Sequence, residues 1–376
     1  MILSEEQQMI RQSARKFAQE RLAPNSARWE EEARFPREII AEMGALGFMG
    51  MTVPVEWGGA GADNVAYSLA LQEIAAGDGA LATVVSGHNS VGVMPILNYG
   101  TQAQKERYVR DLATGAKFTA FALTEPQGGS DAASIRTRAT RKGDSYVLSG
   151  TKQFITSGAT ADVTLVIAVT DPDAGKRGIS AFLVDTKAPG YQVARIEKKM
   201  GQNASDTCEI RLDDVVVGAE DRLGEEGQGY RIALANLEGG RIGIASQCVG
   251  MARAALEIAV RYAHERRAFG KTIFEHQAVS FRLADMATSL EAAHQLTLHA
   301  AALKDARQPC LTEASMAKLF ASEAAERICS DALQTLGGAG YIQDFGVERI
   351  CRGVRGAKIY EGTNDIQRLV ISRSLV

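Results

Sequence analysis

Apolar positions along the first hundred residues recur at helical spacing. Ser4 followed by Gln7 is a capping box, and the apolar residues from Ile10 to Leu22 predict a first helix that ends at Pro24. Further helical segments run to about residue 115 and are broken at Pro36, at Pro54 and around Gly77 and Gly79. Residues 1–116 are therefore predicted to form an α-helical domain.

The apolar period changes to that of β-strands after residue 117. Short runs rich in β-branched residues, separated by Gly, Asp and Pro turns, cover residues 146–148, 165–169, 179–184 and 215–217. After Gly229 the helical period returns in long alanine-rich segments at residues 230–265, 276–305 and 312–336. The pattern predicts an α+β protein of three domains, helical over 1–116, β over 117–223 and helical over 224–376.

Charge and composition exclude several classes of protein. The 376 residues carry 42 Lys and Arg against 45 Asp and Glu, without a basic run, so nucleic acid is not an expected partner. No apolar stretch approaches the roughly 20 uncharged residues of a membrane span, and the N-terminus shows neither a signal nor a transit pattern. We therefore expect a cytoplasmic protein without a membrane span.

The cysteines and the one glycine-rich stretch predict neither a metal site nor a Rossmann nucleotide fold. The five cysteines are odd in number and form no Cys-x-x-Cys pair, so we expect buried or half-buried thiols. Residues 223–229 do not match G-x-G-x-x-G and carry two glutamates, which would repel a phosphate. This stretch is predicted to be a linker into the C-terminal helices.

Glu361 is the main catalytic candidate, because it stands between an aromatic residue and a glycine. Taken alone, such a glutamate is usually a solvated turn residue. Four further segments change that interpretation when they are read in order along the chain: residues 121–131, 150–157, 265–277 and 334–341. Together with Ile359-Tyr360-Glu361-Gly362-Thr363, they resemble the acyl-CoA dehydrogenase family over nearly the whole chain.

The resemblance implies an N-terminal α-helical domain, a middle antiparallel β-barrel-like domain and a C-terminal four-helix bundle, usually assembled as a homotetramer. It also implies FAD, bound between the β domain and the bundle. Hydroxyls can hydrogen-bond the flavin edge, and an aromatic ring can pack on its apolar side. Many members carry Trp where this chain has Phe154, which keeps the packing and loses the indole donor. The matching cofactor positions are Leu123, Thr124, Phe154, Thr156, Arg266, Phe269, Gln277, Gln334, Gly338 and Thr363, with Gln334 and Gly338 reaching a neighbouring subunit's FAD.

The reaction implied by the resemblance is α,β-dehydrogenation of an acyl-CoA thioester to the trans-2-enoyl-CoA. Glu361 would take the α proton while the β hydrogen leaves as hydride to flavin N5, and electrons would pass to electron-transferring flavoprotein. Burial should raise the pKa of Glu361 to about 6 to 7, which suits a base near neutral pH. The matching substrate positions are Ser130, Arg241, Tyr360 and Gly362.

Some family members place the base instead on a helix of the C-terminal domain, at the position of Gly240. Glycine has no side chain to ionise, so Glu361 is the predicted base. Glu238 remains a candidate only if the register differs by two residues.

The acyl group is less well defined by the sequence. Glutaryl-CoA members carry an arginine in the helix before Pro95, but this sequence has no Lys or Arg between Gly77 and Gln104, which disfavours a dicarboxylate. Residues 240–246 and 360–363 most resemble short-chain and short-branched-chain members. A short- to medium-chain acyl-CoA, straight or branched, is therefore expected. One departure from the family lies nearby, because Gly353 follows Arg352 where the family usually has Asp.

Other functions use much the same residues. An acyl-CoA oxidase or a flavin monooxygenase on this fold would consume oxygen, although oxidases are typically longer and the monooxygenases lack the glutamate. A non-catalytic FAD-binding protein would have no use for Glu361. An enoyl-CoA reductase would run the same reaction in reverse, and only its redox partner would distinguish it.

Overall fold

The computed structural model describes all 376 residues and begins with a helical region. Its capping box forms as predicted, because Gln7 N donates to Ser4 Oγ (3.2 Å) and Ser4 N donates to the Gln7 side chain (3.0 Å). The helices are α1 (Glu5–Phe17), α2 (Ala23–Glu32), α3 (Arg37–Ala45), α4 (Asn64–Gly77), α5 (Gly79–Gly87), α6 (Met94–Tyr99) and α7 (Gln102–Ala113).

The predicted end of the first helix at Pro24 is wrong. One stretch of π-helix, Ala18–Leu22, joins α1 to α2, and Pro24 lies in the first turn of α2. A proline is tolerated there, because its missing N–H would have no partner within the helix. The breaks at Pro36 and around Gly77 and Gly79 are confirmed, since α3 begins directly after Pro36 and α5 directly after Asp78.

The middle of the chain forms one mainly antiparallel sheet in the order β6-β7-β3-β2-β4-β5-β8. Two pairings depart from the predicted antiparallel arrangement, because β1 and β2 each pair parallel to β4. The four predicted runs lie in β3, β4, β5 and β7, and the prediction missed the short or polar strands. The strands are β1 (Thr119–Ala122), β2 (Arg138–Lys142), β3 (Ser145–Thr156), β4 (Val163–Val169), β5 (Ile179–Asp185), β6 (Tyr191–Ile196), β7 (Thr207–Gly218) and β8 (Arg222–Leu223).

Three long helices dominate the rest of the chain and match the predicted segments within a few residues. They pack against one another, and α4 packs on two of them, so the N- and C-terminal helices share one apolar core. Helices α12 and α13 lie on α10. The elements are α8 (Gly229–Glu265), the hairpin β9 (Arg267–Ala268) and β10 (Lys271–Thr272), α9 (Gln277–Asp305), α10 (Leu311–Leu336), α11 (Gly338–Tyr341), α12 (Val347–Arg355) and α13 (Asn364–Arg373).

Two helical segments are long and apolar enough, by composition, to cross a membrane, which corrects the expectation that none approaches that length. They are Gly79–Tyr99 and Gly229–Glu265, and 78% of the apolar window is buried inside the fold in each case. Their apolar surface therefore packs against other parts of the chain. The expected burial of the thiols is confirmed, since Cys351 is half-buried and the other four cysteines are buried.

Candidate active site

Glu361 lies in the loop between α12 and α13, in a left-handed backbone conformation (φ 55°), and Gly362 follows with φ 85°. This conformation costs a non-glycine residue of order 1 kcal/mol or more, so the surroundings must hold it. Lys318 Nζ and Gln367 Nε2 each donate to the carbonyl of Gly362 at 2.9 Å. Thr363 caps α13 by accepting from Ile366 N (3.3 Å). The loop is thus fixed from α10 on one side and from α13 on the other.

The Glu361 side chain lies in a low-dielectric environment that contains two cations. Desolvation raises its pKa to about 7, and the nearby charges of Arg241 and Lys318 oppose that rise. Its carboxylate accepts no hydrogen bond from the chain. A carboxylate with these properties can accept a proton near neutral pH, which agrees with the value expected from the sequence.

Gly240 on α8 faces the Glu361 carboxylate. A Cβ added at Gly240 would overlap Glu361 Oε1 and lie 2.8 Å from Glu361 Cδ. Glu238 points elsewhere, because its Oε1 accepts from Cys310 Sγ (2.8 Å) and pairs with Lys304 Nζ (3.6 Å). A side chain at position 240 would therefore compete with Glu361 for the same space, whereas Glu238 is bound by other groups.

Tyr360 points into a polar network between domains. Its hydroxyl accepts from Gln202 Nε2 (3.0 Å) and donates to Gln247 Oε1 (3.0 Å). Gln202 Nε2 also donates to the carbonyl of Gly353 (2.8 Å), the residue that departs from the family pattern. Here a glycine allows close approach, since a Cβ at Gly353 would lie 3.0 Å from Met251 Cε. The hydroxyl of Tyr360, a predicted substrate residue, is thus engaged in holding the loop.

Arg241, a second predicted substrate residue, is 6% exposed and only partly satisfied. Its Nη1 donates to Ser315 Oγ (3.2 Å), while Nε has no partner. Two buried hydroxyls near the same face of α8, Tyr67 and Ser86, also have no partner. Tyr67, Ser86 and Lys318 were not among the site residues predicted from the sequence. No local pattern distinguishes them, because the helices that carry them contain other polar residues.

The predicted flavin residues of the β domain come together at the ends of β1 and β3. Gln153 N donates to Thr124 O (2.8 Å), which places Leu123 and Thr124 beside Phe154 and Thr156. A bulge between Lys152 and Ile155 gives Phe154 a positive φ of 58° and leaves it 59% exposed. The hydroxyls of Thr124 and Thr156 donate to no group of the chain. An exposed ring beside free hydroxyls fits the edge and face of an isoalloxazine.

Ser130 lies in the exposed loop that follows this edge. A Cβ at the preceding Gly129 would lie 3.7 Å from Thr124 Cγ2, so the loop passes close to the predicted flavin position. The Ser130 side chain is exposed and has no partner in the chain. Ser130 therefore lies close to the predicted flavin residues, and its hydroxyl has no partner in the chain.

A fully buried ion pair supports the flavin edge from beneath. Lys152 Nζ donates to Glu125 Oε1 (2.7 Å) and to Leu123 O (3.0 Å), and both side chains are at most 2% exposed. Burial lowers the pKa of Lys152 to about 8 against the attraction of Glu125. The pKa of Glu125 is about 2, because Lys152 and the hydrogen bonds from Thr137 and Arg136 outweigh desolvation. Both groups are therefore charged at pH 7.

We predict that Lys152→Met destabilises the protein by about 3 to 5 kcal/mol and weakens FAD binding, because Glu125 would be left buried and unpaired. Urea unfolding of the FAD-loaded protein and fluorescence titration with FAD measure the two effects. Lys142→Met, an exposed lysine of the same sheet, is the matched control and should change the free energy of unfolding by less than about 0.5 kcal/mol. Equal stability of both variants would contradict the role given to the ion pair.

The remaining predicted cofactor residues lie at one end of the helical bundle. Arg266 and Phe269 are on the β9–β10 hairpin, and Gln277 begins α9. Gln334 lies in the last turn of α10, which is held to α9 there by Arg282 and Thr335 (3.5 Å), and Gly338 begins α11. All five predicted residues are exposed, and Phe269 is 95% exposed. Because Gln334 is about 24 Å further along α10 than Lys318, the structure does not gather these residues around Glu361.

Comparison with known proteins agrees with this architecture. Three family models match successive parts of the chain: the acyl-CoA dehydrogenase N-terminal domain over residues 4–116, the middle domain over 120–215 and the C-terminal domain over 227–376. The chain belongs to the acyl-CoA dehydrogenase family, whose members are FAD-dependent oxidoreductases.

Individual relatives match along the full length of the chain. An acyl-CoA dehydrogenase of Bacillus subtilis is 48% identical over 376 residues, covering 100% of this chain and 99% of the relative. A subunit of the caffeyl-CoA reductase–Etf complex of Acetobacterium woodii is 44% identical, covering 100% of both chains. Among solved structures, butyryl-CoA dehydrogenase from Megasphaera elsdenii superposes with a TM-score of 0.98 at 40% identity, covering 100% of this chain and 99% of that one.

Proposed function

We propose that this protein oxidises a short- to medium-chain saturated acyl-CoA, straight or branched, to the trans-2-enoyl-CoA, with Glu361 as the base that removes the α proton. One observation carries the proposal: the Glu361 carboxylate has a pKa of about 7, accepts no hydrogen bond from the chain and faces two cations. Such a group is free to accept a proton from a bound carbon acid.

Different residues of the chain have different roles in this reaction. Bound FAD supplies the hydride acceptor for the β hydrogen. Phe154, Thr124 and Thr156 would hold the isoalloxazine at the sheet edge, over the ion pair of Lys152 and Glu125. The left-handed loop presents Glu361 to the substrate. The backbone N–H groups and peptide dipoles of the loop are already oriented before the substrate binds. Arg241, Ser130 and Gly362 are the proposed substrate contacts, whereas Tyr360 positions the loop.

Several observations support a short, uncharged acyl group. The solved structure that superposes with a TM-score of 0.98 is that of a butyryl-CoA dehydrogenase. Helices α5 and α6, which lie between Gly79 and Tyr99, contain no Lys or Arg to pair with a distal carboxylate. Desolvation around Glu361 also disfavours a second charge in the same pocket.

We further propose a homotetramer that shares its cofactor sites between subunits. The exposed end of the bundle carries apolar side chains that a single chain leaves in water, including Phe269 (95% exposed) and Tyr341 (88%). The distance between that end and Glu361 supports the same proposal, because Gln334 and Gly338 would then serve the FAD of another copy. We keep residues 1–116, 117–223 and 224–376 as the proposed domains.

Electron-transferring flavoprotein is the proposed electron acceptor, and the cytoplasm the proposed location. The relative from Acetobacterium woodii is a subunit of a reductase–Etf complex, which supports that partner. The same relative supports enoyl-CoA reduction as the second candidate function, since Glu361 would return the α proton and bound FAD, reduced by the partner, would supply the hydride for the β carbon.

Anaerobic titration of the FAD-loaded protein with butyryl-CoA tests the proposal. We expect the visible flavin band to bleach, and a panel from acetyl- to octanoyl-CoA with branched members should identify the preferred acyl group. A flavin that is reduced by no member of the panel would overturn the dehydrogenase proposal. Rapid oxygen consumption by the reduced protein would favour an oxidase over electron transfer to a flavoprotein.

A further inference from the structure

Lys318 is an unusual lysine, because it is 0% exposed and lies beneath the catalytic loop. Lysine is almost never fully buried unless it is paired. No carboxylate lies within 4.0 Å of Lys318 Nζ. Its ammonium group instead donates to the carbonyl of Gly362 (2.9 Å) and to Asn364 Oδ1 (3.0 Å). The acceptors of this buried cation are therefore groups of the loop and of the first turn of α13.

The contacts of Lys318 continue into a polar cluster on one face of α10. Ser322, one helical turn after Lys318, donates to Asn364 Oδ1 (3.2 Å) and accepts from Asn364 Nδ2 (3.0 Å). Asn364 Nδ2 also donates to Glu323 Oε1 (3.0 Å). Helix α10 thus fixes both the carbonyl of Gly362, the residue after Glu361, and the residue that begins α13.

The strained part of the loop lies at this point. Glu361 and Gly362 both have positive φ, and the Gly362 carbonyl is the one acceptor that Lys318 and Gln367 share. Movement of that carbonyl would shift Gly362 and, through the adjoining Glu361–Gly362 peptide, the Glu361 side chain. A displacement of about 1 Å at a reacting group costs on the order of 100-fold in rate.

Lys318 also contributes charge to the site. The charged and titratable groups that face it are Glu361 on the loop, Arg241 and Cys248 on α8, and Glu323 on α10. Burial lowers the pKa of Lys318 to about 8, and Cys248, Glu361 and Glu323 oppose that shift. Lys318 in turn lowers the pKa of Glu361. Loss of this cation should therefore move the protonation of Glu361 to higher pH.

We propose that Lys318 is a positioning residue for the dehydrogenation, which holds the Gly362 carbonyl and thereby the loop that presents Glu361. This inference rests on the proposed function, because it assumes that Glu361 is the base. Lys318 is 0% exposed and its ammonium group binds the loop, so it acts through Glu361. A purely structural lysine would affect folding without changing how the rate depends on pH.

The test is the rate of anaerobic flavin bleaching by butyryl-CoA, measured from about pH 6 to about pH 9, in Lys318→Met, Lys318→Gln and Lys318→Arg. We expect Lys318→Met to react about 10- to 100-fold more slowly at pH 7, with the midpoint of its pH profile about one unit higher. Lys318→Gln keeps a donor without the charge and should show the same shift with a smaller loss of rate. Lys318→Arg keeps the charge and should stay within a few tenths of a unit of the parent midpoint.

Lys304→Met is the matched control, because Lys304 lies on the neighbouring helix α9 and pairs only with Glu238. Its pH profile should equal that of the parent. FAD absorbance and urea unfolding establish that each variant is folded, and Lys318→Gln decides the question if Lys318→Met does not fold.

The outcomes separate the two proposals. If butyryl-CoA and the acyl-CoA panel do not bleach the parent protein, the proposed function and this inference both fail. If the parent bleaches and the folded Lys318→Gln variant keeps both its rate and its midpoint, only the role of Lys318 is overturned. A midpoint that moves to lower pH would also overturn it, since removal of a cation must favour the protonated carboxylate.

Discussion

Replacing Glu361 by glutamine is expected to slow flavin reduction by butyryl-CoA by about 10⁴-fold, the upper end of what general base catalysis contributes. The amide has nearly the shape of the carboxylate but cannot take the α proton. The carboxylate accepts no hydrogen bond from the chain, so its neutralisation should leave the loop in place. Stopped-flow bleaching under anaerobic conditions measures the rate, and a spectral shift of the oxidised flavin on adding butyryl-CoA measures binding.

Glu238→Gln is the control for this substitution. Glu238 lies on α8, close in sequence to Gly240, but it binds Cys310 and Lys304, so the same neutralisation should lower the rate by less than about threefold. A Glu361→Gln variant that binds butyryl-CoA and reduces its flavin at the rate of the parent would show that another group is the base. A large loss in Glu238→Gln alone would identify Glu238 as that group.

Replacing Gly240 by alanine is expected to lower the rate of flavin reduction by about 100-fold without destabilising the protein. The added methyl would overlap Glu361 Oε1, so the carboxylate must move, and a shift of about 1 Å at a reacting group has a cost of this order. Alanine is a better helix former than glycine, which should raise the free energy of unfolding by up to about 1 kcal/mol. Stopped-flow bleaching and urea unfolding separate the two effects.

Gly239→Ala provides a control at the adjacent position of α8. A Cβ at Gly239 would lie 3.8 Å from Lys304 Cε and from Ser90 Cβ, which is ordinary van der Waals contact. Its gain in helix propensity should equal that of Gly240→Ala, while its rate of bleaching stays close to that of the parent. Equal rates for the two variants would show that the space beside Gly240 is not needed by the base.

Much of the fold was predictable because its helices and its buried strands carry clear apolar periods. Helices α8, α9 and α10 match the predicted segments, since their alanine-rich faces repeat over many turns. Strand β6 was missed because most of its residues are exposed and it lacks the apolar alternation of a half-buried strand. Pro24 was misread as a helix end because the π-helical stretch Ala18–Leu22 leaves no mark in the apolar pattern.

The candidate site divides in the same way. The residues around Glu361 and the ordered motifs identified the family, because those motifs are short and contiguous. Gln202 and Tyr360 are 158 positions apart, and neither has a local signal that predicts their contact. Gly353 departs from the family pattern, and only the structure shows that its carbonyl accepts a hydrogen bond from Gln202.

The sequence by itself determined the succession of helical, β and helical regions, the family and the identity of the proposed base, since each depends on neighbours along the chain. The tertiary structure alone decided the environment of that base. Three features of the site arise where α8, α10 and the loop pack together. They are the pKa of Glu361 near 7, the space that Glu361 occupies beside Gly240, and the hydrogen bond from Lys318 to the Gly362 carbonyl. Lys318 and Gly362 are 44 positions apart, so their contact depends on the path of helix α10 and not on local spacing.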